Sequence, residues 1–72
     1  MKYTVIYEKG HASWGAYVPD LPGVISVGDS REDVERLIQE AIEFHLEGMR
    51  EEGIPIPLPS SFAGVVEVHP AA

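Results

Sequence analysis

Apolar residues alternate in the first third of the chain and recur every three or four positions in the middle third, so the pattern changes from a strand period to a helix period. Residues Tyr3 to Glu8 carry Tyr, Val, Ile and Tyr, which favour strands, and Gly10 supplies a turn directly after Lys9. Trp14 to Val18 reads as a second strand, and Gly10-His11-Ala12-Ser13 is short enough to close a hairpin between the two. Pro19 lacks a backbone donor and limits any continuation to an edge or a turn. In Leu21-Pro22-Gly23-Val24 the proline presets φ at the first central turn position and the glycine tolerates positive φ at the second, a type II turn. Val24 to Val27 gives a third strand, closed by Gly28.

The helix is the strongest element. Ser30 is placed to cap it, with Glu32 and Asp33 in the first turn facing the positive end of the helix dipole. Val34, Leu37, Ile38, Ala41, Ile42, His45, Leu46 and Met49 form one stripe, Gly53 is the candidate C-terminal cap, and Pro55 prevents resumption. A helix from Arg31 to Glu52 would be roughly 33 Å long and would overrun strands of about 20 Å, leaving its last turns around Met49 in need of contacts beyond the sheet. Ile54-Pro55-Ile56-Pro57-Leu58-Pro59 then reads as a stiff, extended return loop, and Phe62 to Val68 as a last strand ended by Pro70.

The element order is β-β-β-α-β. Short turns make the first three strands an antiparallel meander, and the long helical connection brings the last strand in parallel beside the first. The expected fold is therefore α+β: a two-layer, four-stranded mixed sheet of order 3-2-1-4 with one long helix on one face, forming a single domain over residues 1–72. Both strand faces look apolar. Tyr3, Val5 and Tyr7 alternate with Thr4 and Ile6, Trp14, Ala16 and Val18 alternate with Tyr17, and Val65 neighbours Val66. One helix covers one face, so the other is expected to pack against another chain, and the outer strands three and four offer edges for a homodimer or higher oligomer.

Composition narrows the chemistry. The 72 residues carry twelve Asp plus Glu against five Lys plus Arg, a net charge of −7, which argues against a phosphate-binding surface. Without cysteine there is no disulfide and no thiolate metal site, and no apolar run approaches the roughly 20 residues of a membrane span. The strand pattern starts at the N-terminus with no signal-peptide pattern before it, so the expected location is cytoplasmic. His11, His45 and His69 lack metal-ligand spacing, and Ser13, Ser26, Ser30, Ser60 and Ser61 lack a nucleophile-elbow pattern. No catalytic residue, cofactor or metal is expected. Residues 32–52 hold eight acids against Arg36 and Arg50, with Arg31 just before them, giving the helix a net charge of −5. Glu32 and Arg36 are spaced for an i,i+4 pair, while Glu43 and Glu47 repel each other and suit the steering of a basic partner. Tyr7, Trp14 and Tyr17 are the candidate interface aromatics, with Glu43 and Glu47 at the rim.

Tyr17-Val18-Pro19-Asp20-Leu21-Pro22-Gly23, then Gly28-Asp29-Ser30, an acidic helix with Ala41-Ile42, and Gly53-Ile54-Pro55-Ile56-Pro57 together resemble the HicB-like antitoxin family over nearly the whole chain. The resemblance implies a partially degraded ribonuclease-H-like core and the antitoxin half of a type II toxin–antitoxin pair. The implied partner is a small basic, mRNA-cleaving HicA-like toxin whose active surface the antitoxin masks. Nuclease activity is not expected, because Thr4-Val5-Ile6 offers no carboxylate at the centre of the first strand. Many family members also carry a DNA-binding domain. This chain reads as the core domain alone, so direct contact with nucleic acid is not expected, and the alternative to an antitoxin is a stand-alone homo-oligomeric structural or adaptor domain without a toxin partner.

Overall fold

The computed structural model describes residues 1–71. Three strands, β1 (Ile6–Lys9), β2 (Trp14–Tyr17) and β3 (Ile25–Gly28), are followed by one helix, α1 (Arg31–Glu51). The sheet is antiparallel throughout in the order β1-β2-β3. Its register sets Tyr7 opposite Ala16 and Ala16 opposite Ser26 on one face, and Ile6 opposite Tyr17 and Tyr17 opposite Ile25 on the other.

Local chemistry accounts for the boundaries. The Leu21 amide donates to Val18 O (3.0 Å) and the Val24 amide to Leu21 O (3.1 Å), so two turns follow in tandem, each with proline at its second residue. Gly23 takes φ +89°, as the second turn requires. Leu21, where the turns join, is fully buried and ties the loop to the core. Ser30 caps α1 by accepting from the Asp33 amide at 3.1 Å. At the other end Gly53 (φ +70°) donates to Arg50 O and Ile54 to Met49 O, a Schellman termination.

The core is Ala16, Val18, Leu21, Val24, Val34 and Ile38, with Tyr3, Val5, Tyr7, Trp14, Ala41, Ile42 and Leu46 packed around it. The helix lies chiefly over β3 and β2. It reaches β3 because that strand turns small residues inward: a Cβ on Gly28 would stand 3.0 Å from Val34 Cγ2 and 3.2 Å from Asp33 Cβ. The bulky residues of β3, Ile25 and Val27, point the opposite way and are exposed.

The expected four-stranded mixed sheet of order 3-2-1-4 is not formed. The sheet has three strands, and residues 62–68 lie outside it in an extended, exposed arm. Cover is the physical reason. A strand outboard of β1 would sit beyond the part of the sheet that α1 packs on, so its inward side chains would gain little burial to offset the entropy of ordering it. The chain also crosses past the start of β1 instead of running alongside it. Tyr3 Oη donates to Pro57 O (2.5 Å) and Thr4 Oγ1 to Ser61 O (2.6 Å), and after Ser61 the chain departs. The radius of gyration, 14.8 Å, exceeds the roughly 11 Å of a compact chain of this length accordingly.

Candidate functional site

The five residues expected at an interface fall on three surfaces. Tyr7 and Trp14 are on the helix side of the sheet, half-buried around the core, and each is flanked by a cation. The Arg31 guanidinium lies 4.9 Å from the Tyr7 ring centre, and Lys9 Nζ 6.0 Å from that of Trp14. Tyr17 is on the opposite face, flanked by Ile6 and Ile25 in the ladder and close to Val27. Glu43 and Glu47 are exposed on α1.

The outer side of α1 is predominantly acidic, with an open groove lined by Glu32, Glu35, Arg36, Gln39, Glu40 and Glu43. Arg31 bonds Glu35 at 3.1 Å and Arg36 reaches Glu40 at 3.6 Å, so Arg36 turns away from Glu32, its partner by sequence spacing. All four side chains are half or more exposed, and such pairs are worth little to stability. Among the described residues Glu32, Glu43 and Glu47 have no cationic partner. Negative charge held in water without a counter-charge costs nothing to desolvate until a partner arrives, which suits steering more than it suits catalysis.

A second polar cluster joins two distant segments. The Asp20 carboxylate accepts four hydrogen bonds: Oδ2 from the amides of Ser60 (2.9 Å) and Ser61 (3.0 Å), and Oδ1 from the hydroxyls of Ser60 (3.0 Å) and Ser61 (2.7 Å). These donors, the Ser60 amide foremost and then the Ser61 hydroxyl and amide, lower its pKa from 3.8 to about 2. Asp20 stands in the sequence only as part of the Tyr17–Gly23 motif, and Ser60 and Ser61 only as serines without a nucleophile-elbow pattern. Their pairing is invisible across a separation of 40 residues, although a Ser-Ser step directly after a proline run is a recognisable source of clustered donors. The cluster is structural: it anchors the C-terminal segment at the point from which the arm leaves.

No group of three or more His, Asp or Glu among the described residues could hold a metal ion. Glu8, the carboxylate of β1, sits exposed on the outer face opposite Gly15, with no second acid to share an ion. Nor is any helix long and apolar enough to cross a membrane among the described residues.

An acidic helix over a small sheet, with an uncovered apolar face behind it, defines a chain built around surfaces and not around a cleft. Comparison with known proteins agrees with that class. Residues 3–70 match the family model described as HicB-like antitoxin of bacterial toxin–antitoxin system, and the chain belongs to that family. It is 34% identical over 65 residues to Antitoxin HicB 2 of Photorhabdus laumondii, covering 85% of this chain and 44% of that protein. It is 39% identical over 57 residues to an uncharacterized 14.9 kDa protein from the rep-hol intergenic region of Haemophilus phage HP1, covering 79% of this chain and 43% of that one. The chain thus spans less than half the length of either relative. No solved structure matches it significantly.

Proposed function

We propose that the chain is the toxin-binding module of an antitoxin, acting in the cytoplasm, and that it neutralises a small basic, mRNA-cleaving HicA-like toxin by masking its active surface. The observation that carries this reading is the acidic outer side of α1 in a chain of the HicB-like antitoxin family. A surface that cleaves RNA must attract phosphates with Lys and Arg, and an array of carboxylates competes for the same cations. The unpaired Glu43 and Glu47 supply long-range attraction. Charge complementarity on the α1 side carries the reading, and Tyr17, on the opposite face of the sheet, lies outside the surface that such a partner covers. Binding, and not catalysis, is the activity.

RNA cleavage by the toxin, measured against increasing amounts of this protein, tests the reading. Cleavage should stop near equimolar protein, and Glu43→Gln with Glu47→Gln should weaken inhibition most at low salt. Undiminished cleavage at large molar excess would end the proposal.

A second reading, self-association, is favoured by a separate observation. The outer sheet face exposes Tyr17, Ile25 and Val27, with Ile6 part-buried beside them, and the arm after Ser61 exposes Phe62, Val65, Val66 and Val68.

A further inference from the structure

The arm is anchored, extended and without a partner. Its root is fixed by the four hydrogen bonds of Asp20 and by Thr4, yet among the described residues no backbone hydrogen bond joins 62–71 to the sheet. Phe62 is 90% exposed and Val65 99%. Seven residues in strand geometry reach about 23 Å, longer than any strand of the sheet.

The two open edges of the sheet differ. β1 ends in Glu8 and Lys9, charges of the kind that discourage strand addition, and the segment Pro57–Ser61 crosses just ahead of it. β3 reads Ile25-Ser26-Val27-Gly28, with no charge and no proline, and exposes Ile25 (67%) and Val27 (66%). Leu37 Cδ1 comes to 3.5 Å from where a Cβ of Gly28 would stand, so this flank of α1 overlooks β3. Phe44, seven residues on along this flank of the helix and outside its core stripe, is 83% exposed.

We propose that the arm Phe62–Val68 of one copy adds as a strand to the open β3 edge of a second copy, beneath the Leu37–Phe44 flank of its helix, and that the exchange is reciprocal in a two-fold dimer. Backbone pairing supplies the general affinity, and Phe62, Val65, Val66 and Val68 supply apolar contact. A second copy fits better than a basic partner because neither element presents an acidic target: β3 has no charged residue and the arm only Glu67. Two chains of net charge −7 repel at long range, so the dimer strengthens with salt, whereas a complex with a basic toxin weakens.

The inference rests on the self-association reading, and the test separates the two. Sedimentation of the full chain should show a monomer–dimer equilibrium that shifts toward dimer as salt rises. Val66→Pro, which removes a backbone donor from an exposed arm, should leave a monomer whose melting temperature in dilute solution is unchanged. Copies carrying Val27→Cys mixed with copies carrying Val66→Cys should form a mixed disulfide dimer on oxidation. A dimer that survives Val66→Pro, or that cross-links only arm to arm, overturns the exchange and keeps self-association. A monomer at all concentrations and salts overturns both.

Discussion

The tandem-turn segment Val18–Val24 and the arm Phe62–Val68 are the same length, and the arm is the more apolar of the two, yet they meet opposite fates. Val18, Leu21 and Val24 are buried, while Phe62, Val65, Val66 and Val68 lie in water. Intrinsic hydrophobicity would order them the other way. What differs is closure: two proline turns fold the first segment onto its neighbours with local backbone hydrogen bonds, and α1 then covers it. The arm has no turn to return it and no helix above it. In a chain this small, cover is the scarce resource, and one helix shields only about two strands.

The comparison breaks most visibly at its centre. Leu21→Ala should destabilise the fold by about 2–5 kcal/mol, while Val65→Ala should leave the melting temperature of a dilute sample unchanged. Equal effects in thermal denaturation would mean that the arm belongs to the core. Next in size is Gly28→Ala. Its Cβ would meet Val34 and Asp33 at about 3 Å and lift the helix, so a loss of about 1–3 kcal/mol is expected in urea unfolding. Ser30→Ala removes one cap hydrogen bond from the same helix and should cost about 1 kcal/mol; an unchanged unfolding midpoint would show that the cap contributes nothing.

The smallest effect lies at the junction of the two regions. Because the pKa of Asp20 is lowered in the folded state, the anchor is at full strength above pH 3.8 and is lost as pH falls through about 2. Amide shifts of Ser60 and Ser61 should titrate with a midpoint near 2, and Asp20→Asn should abolish that titration while freeing the root of the arm. A midpoint near 3.8 would show that the four hydrogen bonds do not persist in solution.

Features set within a few residues were legible in advance. The Pro22–Gly23 turn, the Ser30 cap and the Gly53 termination each follow from the conformations their own residues allow. The antiparallel meander was legible for the same reason, since its connections are short. Distant features were not. Whether Phe62–Val68 pairs depends on what covers the edge it would join, and the Asp20 anchor joins segments 40 residues apart. Arg36 had acids available one turn away on either side, and spacing alone did not choose Glu40 over Glu32. Of the apolar strand faces expected, Tyr17 lies exposed on the outer side, Val65 and Val66 lie in no strand, and the inversion of β3, small residues inward and Ile25 and Val27 outward, shows only once the helix is in place.

Hydrogen exchange along the full chain, followed over a dilution series, tests most directly whether the body is closed and the arm is open until a second molecule arrives. Amides of Ala16, Val18 and residues 34–46 should stay protected at every concentration, while those of 62–68 should exchange freely when dilute and slow as concentration rises. Protection of 62–68 at the lowest concentration would mean that the arm pairs within its own chain, and the division drawn here between body and arm would fall.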